Sequence, residues 1–212
     1  DVVRAVTRWG ASAEPMSFAR LLMALLLTLR GSACLYQGEE LGLPEPELAF
    51  DDLRDPYGIA FWPEFRGRDG SRTPIPWQEN APHAGFSSAE RTWLPLPAEH
   101  RALAVDRQER DPASLLHSWR RFLRWRKSHP ALVEGNLEIL ASPASVLAFE
   151  RSRANERILA AFNFAPEPAH MPLPQGCRAL AGHGFEARLS GQDLILPGHG
   201  VFFGSFERRE TP

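Results

Sequence analysis

The apolar positions of the chain follow a helical period in its first part. Apolar residues, mostly leucines, recur three and four positions apart over residues 18–29, which predicts a helix buried on more than one face. Glu14-Pro15 supplies a favourable helix start and Gly31 a favourable end. The short apolar stretch 33–36 is predicted to be a buried strand that stops at the polar cluster 37–40.

A helix that leads into a short buried strand is a piece of an α/β unit. In α/β barrels the carboxyl end of such a strand carries the chemistry, so the polar cluster is a candidate part of a site. Residues 1–10 are interpreted as a strand end and a loop. The long stretch 43–97 is rich in Pro, Gly and Trp. A loop of this length in a compact domain is usually functional or disordered, and its aromatic content favours order.

The chain changes character after a second helix. Asp111-Pro112 resembles a helix start, the following apolar residues mark one buried face, and His129-Pro130 predicts the end. From residue 132 onward, short apolar segments alternate with turn residues, which predicts an antiparallel β sandwich or barrel of about eight strands. The clearest of these segments are 137–140, 146–150, 157–163, 185–189, 194–196 and 201–206.

Composition narrows the function classes. The 212 residues carry a net charge of −2, which is ordinary for a soluble globular protein and argues against nucleic-acid or membrane-surface partners. Cys34 and Cys177 are far apart and are predicted to be buried, reduced thiols, which fits a cytoplasmic protein. The seven histidines show no metal-ligand spacing, and we expect neither a metal nor another cofactor.

Three motifs carry a family resemblance. They are DVVR at 1–4 with RWG at 8–10, LYQGEELG at 35–42, and RDGSRTPIPW at 68–77. Their order and intervals resemble the α-amylase family of glycoside hydrolases, and most of all its α-glucosidase and oligo-1,6-glucosidase branch. The resemblance implies that residues 1–131 form the C-terminal portion of a (β/α)₈ barrel, with the long loop 43–97 at the active site. It implies that residues 132–212 form a C-terminal β domain, an antiparallel sandwich.

The resemblance also implies roles for individual residues. Asp1 matches the aspartate that ends the seventh barrel strand, which holds two sugar hydroxyls and stabilises the transition state. Arg68 matches an arginine that binds the glucose in subsite −1, a task that suits a permanently charged guanidinium. Arg4 is a second substrate-binding candidate, with a brace for the loop as its alternative. Glu39 and Glu40 are expected to anchor the end of the eighth strand through ion pairs.

The implied activity is that of a retaining α-glucosidase. Its substrates would be small oligosaccharides or glucosides with a terminal α-linked glucose, and it would hydrolyse them, transfer the glucosyl unit, or both. Retaining hydrolysis needs two carboxyl groups about 5–5.5 Å apart, and no residue here matches the family's nucleophile or acid/base. We therefore expect this chain to need the N-terminal part of the same barrel as its partner and to be inactive alone. Alternatives are a glucosyltransferase, a sucrose- or trehalose-processing relative, or a non-catalytic barrel-related partner subunit.

Overall fold

The computed structural model of the protein describes residues 2–10 and 14–206. The chain divides into two compact units. The first unit comprises Asp1–Ala19 and Leu35–His117, and the second unit comprises Arg20–Cys34 and Ser118–Pro212. The α-helices of the described residues are α1 (Ala5–Trp9), α2 (Pro15–Thr28), α3 (Pro56–Ala60), α4 (Ala98–Arg101), α5 (Val105–Arg110), α6 (Leu115–Lys127) and α7 (Pro130–Glu134).

Helix α2 confirms the prediction from the apolar period, and Leu21, Ala24 and Leu27 are buried along it. The prediction for the preceding residues is wrong in one respect, because Ala5–Trp9 is helical where a loop was expected. The predicted buried strand at 33–36 is also wrong. Those residues have no regular secondary structure and lie mostly exposed, and no strand of the described residues pairs with them. An apolar run becomes a parallel strand only where neighbouring strands supply its hydrogen bonds.

Helix α6 begins three residues later than Asp111-Pro112 suggested. Asp111 instead closes a turn through its carboxylate, which accepts a hydrogen bond from the Ala113 N–H at 2.9 Å. The Ser114 hydroxyl then accepts from the His117 N–H at 3.3 Å, the pattern of a helix N-cap. The end is as predicted, since the helix stops at Lys127, before His129-Pro130.

The long stretch 43–97 lies in the first unit as a succession of short turns. It contains helix α3 and short 3₁₀ turns at Phe50–Asp52, Asp69–Arg72 and Pro82–Gly85. Side chains tie these turns to backbone groups elsewhere in the unit. Glu45, for example, accepts the Arg4 backbone N–H at 2.9 Å.

The second unit contains two antiparallel sheets. Its strands are β1 (Asn136–Leu140), β2 (Val146–Arg153), β3 (Glu156–Asn163), β4 (Ala169–Pro172), β5 (Cys177–Ala179), β6 (Arg188–Ser190), β7 (Asp193–Leu196) and β8 (Val201–Phe206). One sheet has the order β1-β2-β3-β8-β5 and the other β4-β7-β6. The prediction of about eight antiparallel strands is confirmed. Strands β4 and β5 were missed as separate segments because both are short. All strand pairs within the described residues are antiparallel. The strands of a (β/α)₈ barrel are parallel, so the expected last barrel strands are not among these pairs.

Two apolar groups hold the second unit together. Residues from both sheets share one core that includes Leu159, Met171, Leu194 and Phe202. A separate aromatic cluster centres on the buried Phe203. Its ring centroid lies 4.9 Å from that of Trp125 and 5.5 Å from that of Phe122.

The cysteine prediction is half right. Cys177 is buried and Cys34 is exposed, and both are free thiols. Cys34 is exposed and belongs to the stretch 33–36, which forms no strand. In the described ranges, no helix is long and apolar enough to cross a bilayer.

Candidate functional site

The most elaborate polar arrangement in the first unit surrounds Arg68. Its Nε donates to Asp55 Oδ2 at 2.8 Å, and its Nη2 donates to Asp55 Oδ1 at 2.8 Å. The Arg68 backbone N–H also donates to Asp55 Oδ2, at 2.9 Å. The Asp55 side chain has no exposed surface, whereas that of Arg68 is 33% exposed. A buried carboxylate therefore holds a guanidinium that reaches the surface, in a two-pronged pairing that fixes its plane.

Local sequence explains why Asp55 and Arg68 meet. Asp55 is the N-cap of helix α3, with Pro56 at the first helical position, and its Oδ1 accepts the Tyr57 N–H at 3.3 Å. The 55–58 and 66–68 segments approach so closely that glycine is needed on both sides. A Cβ on Gly58 would lie 2.8 Å from the Arg66 carbonyl oxygen, and one on Gly67 would lie 3.0 Å from Asp55 Oδ2. Gly67 also has a φ of +77°, which glycine adopts readily.

Asp69 fixes the backbone next to this pair. Its side chain is buried, and its Oδ2 accepts the backbone N–H groups of Arg54 at 2.6 Å and Asp55 at 2.7 Å. The neighbouring Tyr57 ring lies 5.6 Å from the Arg68 guanidinium carbon, within the range of a cation–π contact. The guanidinium is thus held at one edge by Asp55 and contacted by an aromatic ring.

Arg4 lies in the same unit with a different role. Its side chain is buried, Nη1 donates to the Gln37 carbonyl at 2.8 Å, and Nη2 donates to the Ser71 carbonyl at 2.9 Å. Its backbone N–H donates to Glu45 Oε2 at 2.9 Å. Arg4 therefore joins three segments distant in sequence. These contacts favour the bracing alternative over direct substrate binding.

A groove of about 400 Å³ opens beside these residues. Val3, Glu45, Gly67 and Gly70 line it, together with residues 46–48 and 63–66. Gly70 lets Glu45 pack closely, since a Cβ there would lie 2.2 Å from Glu45 Oε1. The groove brings the residues that follow Asp1 and the residues that flank Arg68 to a common surface, and its volume is sufficient for a sugar ring.

Burial and hydrogen bonding shift the pKa values of the charged groups in this region. The hydrogen bonds from Arg68 hold the pKa of the Asp55 carboxyl well below its usual range, and the same pairing raises the pKa of Arg68. Burial lowers the pKa of Arg4, and burial raises the pKa of Glu45 despite its hydrogen bond from the Arg4 N–H. Asp55 and Arg68 thus remain an ion pair over the whole neutral range.

The predicted site residues are brought together only in part. Asp1 lies outside the described residues. Arg68 follows Gly67, which lines the groove, and it pairs with Asp55, which was not predicted. A carboxylate at a helix start, thirteen residues before a matched arginine, gives no sequence signal of pairing. Glu39 and Glu40 anchor their turn by accepting the backbone N–H groups of Tyr36 at 3.4 Å and Gly38 at 2.8 Å, where ion pairs were expected.

Comparisons with known proteins agree on a family. The model of the α-amylase catalytic domain matches residues 1–135. A probable α-glucosidase of Rhizobium meliloti is 49% identical over 205 residues, covering 96% of this chain and 37% of that protein. An oligo-1,6-glucosidase of Parageobacillus thermoglucosidasius is 27% identical over 194 residues, covering 82% of this chain and 34% of that protein.

Solved structures give the same answer. The crystal structure of the α-glucosyl transfer enzyme XgtA superposes with a TM-score of 0.92 at 51% identity, covering 98% of this chain and 39% of that one. The chain therefore spans somewhat more than a third of the length of these relatives.

Proposed function

This chain belongs to the α-amylase family, and on that premise we propose that its parent protein is a retaining α-glucosidase. It acts on the terminal α-linked glucose of small oligosaccharides or glucosides. The observation that carries the proposal is the guanidinium of Arg68, which Asp55 holds in one orientation and whose neighbour Gly67 lines the groove, because an oriented, permanently charged donor suits the hydroxyls of a bound glucose. The α-glucosidases among its relatives support the reaction class.

Three residues receive roles in this proposal. Asp1 stabilises the transition state through hydrogen bonds to sugar hydroxyls that tighten as the oxocarbenium ion develops. Arg68 binds the glucose in subsite −1. Arg4 stays a predicted substrate-binding residue, but its buried contacts with the carbonyls of Gln37 and Ser71 support a brace that holds the groove wall.

The architecture proposed for the parent follows from the same premise. Residues 1–131 contribute the C-terminal portion of a (β/α)₈ barrel, with the loop 43–97 at its active-site face, and residues 132–212 form a β-sandwich domain. The family model ends its match at residue 135, and the two antiparallel sheets after it share one core. The nucleophile and the acid/base come from the N-terminal part of the barrel. We expect no cofactor, and the free thiols support a cytoplasmic location.

Glucosyl transfer is a second candidate activity, and one observation favours it. The α-glucosyl transfer enzyme XgtA is 51% identical to this chain. Transfer and hydrolysis share the covalent glucosyl-enzyme and differ in the acceptor that resolves it. Both activities therefore use Asp1 and Arg68 in the same way.

A chromogenic α-glucoside tests the proposal. The parent protein should release the chromophore, and proton NMR should show the α-anomer of glucose as the first product. Residues 1–212 alone should give no turnover. Asp1→Ala in the parent should lower kcat by roughly three orders of magnitude, since it removes transition-state hydrogen bonds. Release of the β-anomer, or an unchanged rate in the Asp1 variant, would contradict the proposed mechanism.

A further inference from the structure

We propose that Asp55 is a positioning residue that sets the orientation of the Arg68 guanidinium before a sugar binds. The proposal rests on the proposed function, which places Arg68 against the glucose in subsite −1. It adds a residue that no motif resemblance pointed to.

Asp55 and Arg68 differ in burial and in the number of their fixed contacts. Asp55 is enclosed by protein, and it accepts three hydrogen bonds from Arg68 at 2.8–2.9 Å and one from the Tyr57 N–H at 3.3 Å. Arg68 keeps a third of its side chain at the surface. The buried Asp55 carboxylate is therefore fixed in place, and it determines the position of the partly exposed Arg68 guanidinium.

The backbone around Asp55 is also held rigidly. Asp69, itself buried, accepts the N–H groups of both Arg54 and Asp55 and so fixes the backbone that carries the carboxylate. Gly58 and Gly67 allow the two segments to touch backbone to backbone. The Asp55 carboxylate therefore has little freedom to move. Because Arg68 binds it through two parallel hydrogen bonds, the guanidinium has little freedom either.

The expected contribution follows from side-chain entropy. An arginine that must find one orientation on binding loses much of its rotamer freedom, whereas an arginine already oriented does not. Without Asp55 we expect kcat/KM for an α-glucoside to fall by about 10- to 100-fold, in line with the rotamer entropy of an arginine side chain.

A double-mutant cycle in the parent enzyme separates positioning from a purely structural role. The variants are Asp55→Asn, Arg68→Ala and the double variant, with kcat/KM measured on one chromogenic α-glucoside. If Asp55 acts through Arg68, the double variant is no slower than Arg68→Ala alone. Losses that multiply would overturn the proposal. Glu134→Gln is the control, because it breaks an exposed pair with Arg153 (2.7 Å) elsewhere in the chain and should leave kcat/KM unchanged.

Chemical rescue keeps the proposal testable if Asp55→Asn does not fold. In Arg68→Ala the Asp55 carboxylate stays in place, so guanidinium at tens of millimolar should occupy it and restore part of the activity. Ethylammonium has the charge but lacks the planar pair of donors and should not. Equal rescue by both cations, or by neither, would overturn the proposal. An Arg68→Ala enzyme with full activity would instead refute the proposed role of Arg68, which is a distinguishable outcome.

Discussion

The loop segment 43–97 of the first unit and the two sheets of the second unit are held in different ways. The sheets have regular ladders of hydrogen bonds and a shared apolar core that includes Leu159 and Phe202. The loop segment contributes Leu43 and Ile75 to a smaller apolar cluster, and its short turns are also tied by buried polar side chains such as Asp55 and Asp69. Apolar packing in the sheets is spread over many residues, whereas each tie in the loop depends on one geometry.

This difference is consistent with the place of the proposed site in the first unit. A polar side chain that holds a loop by hydrogen bonds also has the directionality to orient another polar group, as Asp55 orients Arg68. A core of aliphatic and aromatic residues supplies stability without direction. The loop of the first unit can therefore present oriented donors, as the proposed sugar site requires. The two regions should also respond differently to substitution.

The largest expected effect is a loss of global stability from the aromatic cluster. Phe203→Ala should lower the free energy of unfolding by about 3–5 kcal/mol, because it opens a cavity among packed rings. Chemical denaturation followed by circular dichroism measures this. Leu189→Ala, at an exposed apolar position of β6, is the matched control and should change stability by no more than about 0.5 kcal/mol. Equal losses in the two variants would contradict the description of this core.

A smaller and more local effect is expected from a polar tie in the first unit. Gln108→Ala leaves the Leu41 carbonyl and the Leu116 N–H without their partner and should cost about 1–3 kcal/mol. Hydrogen exchange should accelerate first at Leu116, the amide that loses its acceptor. The exposed Gln78→Ala is the control. Uniform acceleration across β2 and β3 would show that this polar tie of the first unit and the two sheets unfold as one cooperative unit.

Acid should weaken the Asp55–Arg68 pair in a defined window. The pKa of Asp55 is depressed in the folded state, so its stabilisation is complete above the unfolded pKa of about 3.9 and is lost as the pH falls through the lower folded value. The stability difference between wild type and Asp55→Asn should therefore be constant at neutral pH and shrink below about pH 4. Asp51→Asn, at an exposed position of the same loop, is the control. A difference that grows in acid would contradict the ion pair.

The smallest effect concerns reactivity without any change in stability. Cys34 is exposed, whereas burial raises the pKa of Cys177 to about 11. A thiol reagent at pH 8 should add one label to the native chain, as mass spectrometry will show, and a second only in denaturant. Cys34→Ser should abolish the fast label. Rapid labelling of both thiols in the native state would show that the sheet interior opens readily.

Sequence patterns predicted the regular elements well and the site only in part. Helix α2 and the run of antiparallel strands follow from apolar period and turn residues, which are local properties. The pairing of Asp55 with Arg68 depends on two close glycine contacts, at Gly58 and Gly67, which no period encodes. Residues 33–36 show the converse failure. Their apolar composition is typical of a strand, but a strand also needs a neighbour.

The motif resemblance predicted the family and candidate site residues, which the local patterns could not. It identified the family, which the comparisons show, and it selected Arg68, whose guanidinium is held by Asp55 in the structure. It did not distinguish a brace from a sugar ligand at Arg4, because both roles use the same guanidinium in the same motif. The buried contacts of Arg4 carry that information, and they depend on Gln37 and Ser71, which are distant in sequence.

A crystal structure of the parent protein with glucose bound tests the central claim most directly. We predict one glucose ring within hydrogen-bond distance, about 3 Å, of both the Asp1 carboxylate and the Arg68 guanidinium, with Asp55 still paired to Arg68. A glucose held by other residues, with Arg68 out of reach of its hydroxyls, would contradict the proposed site.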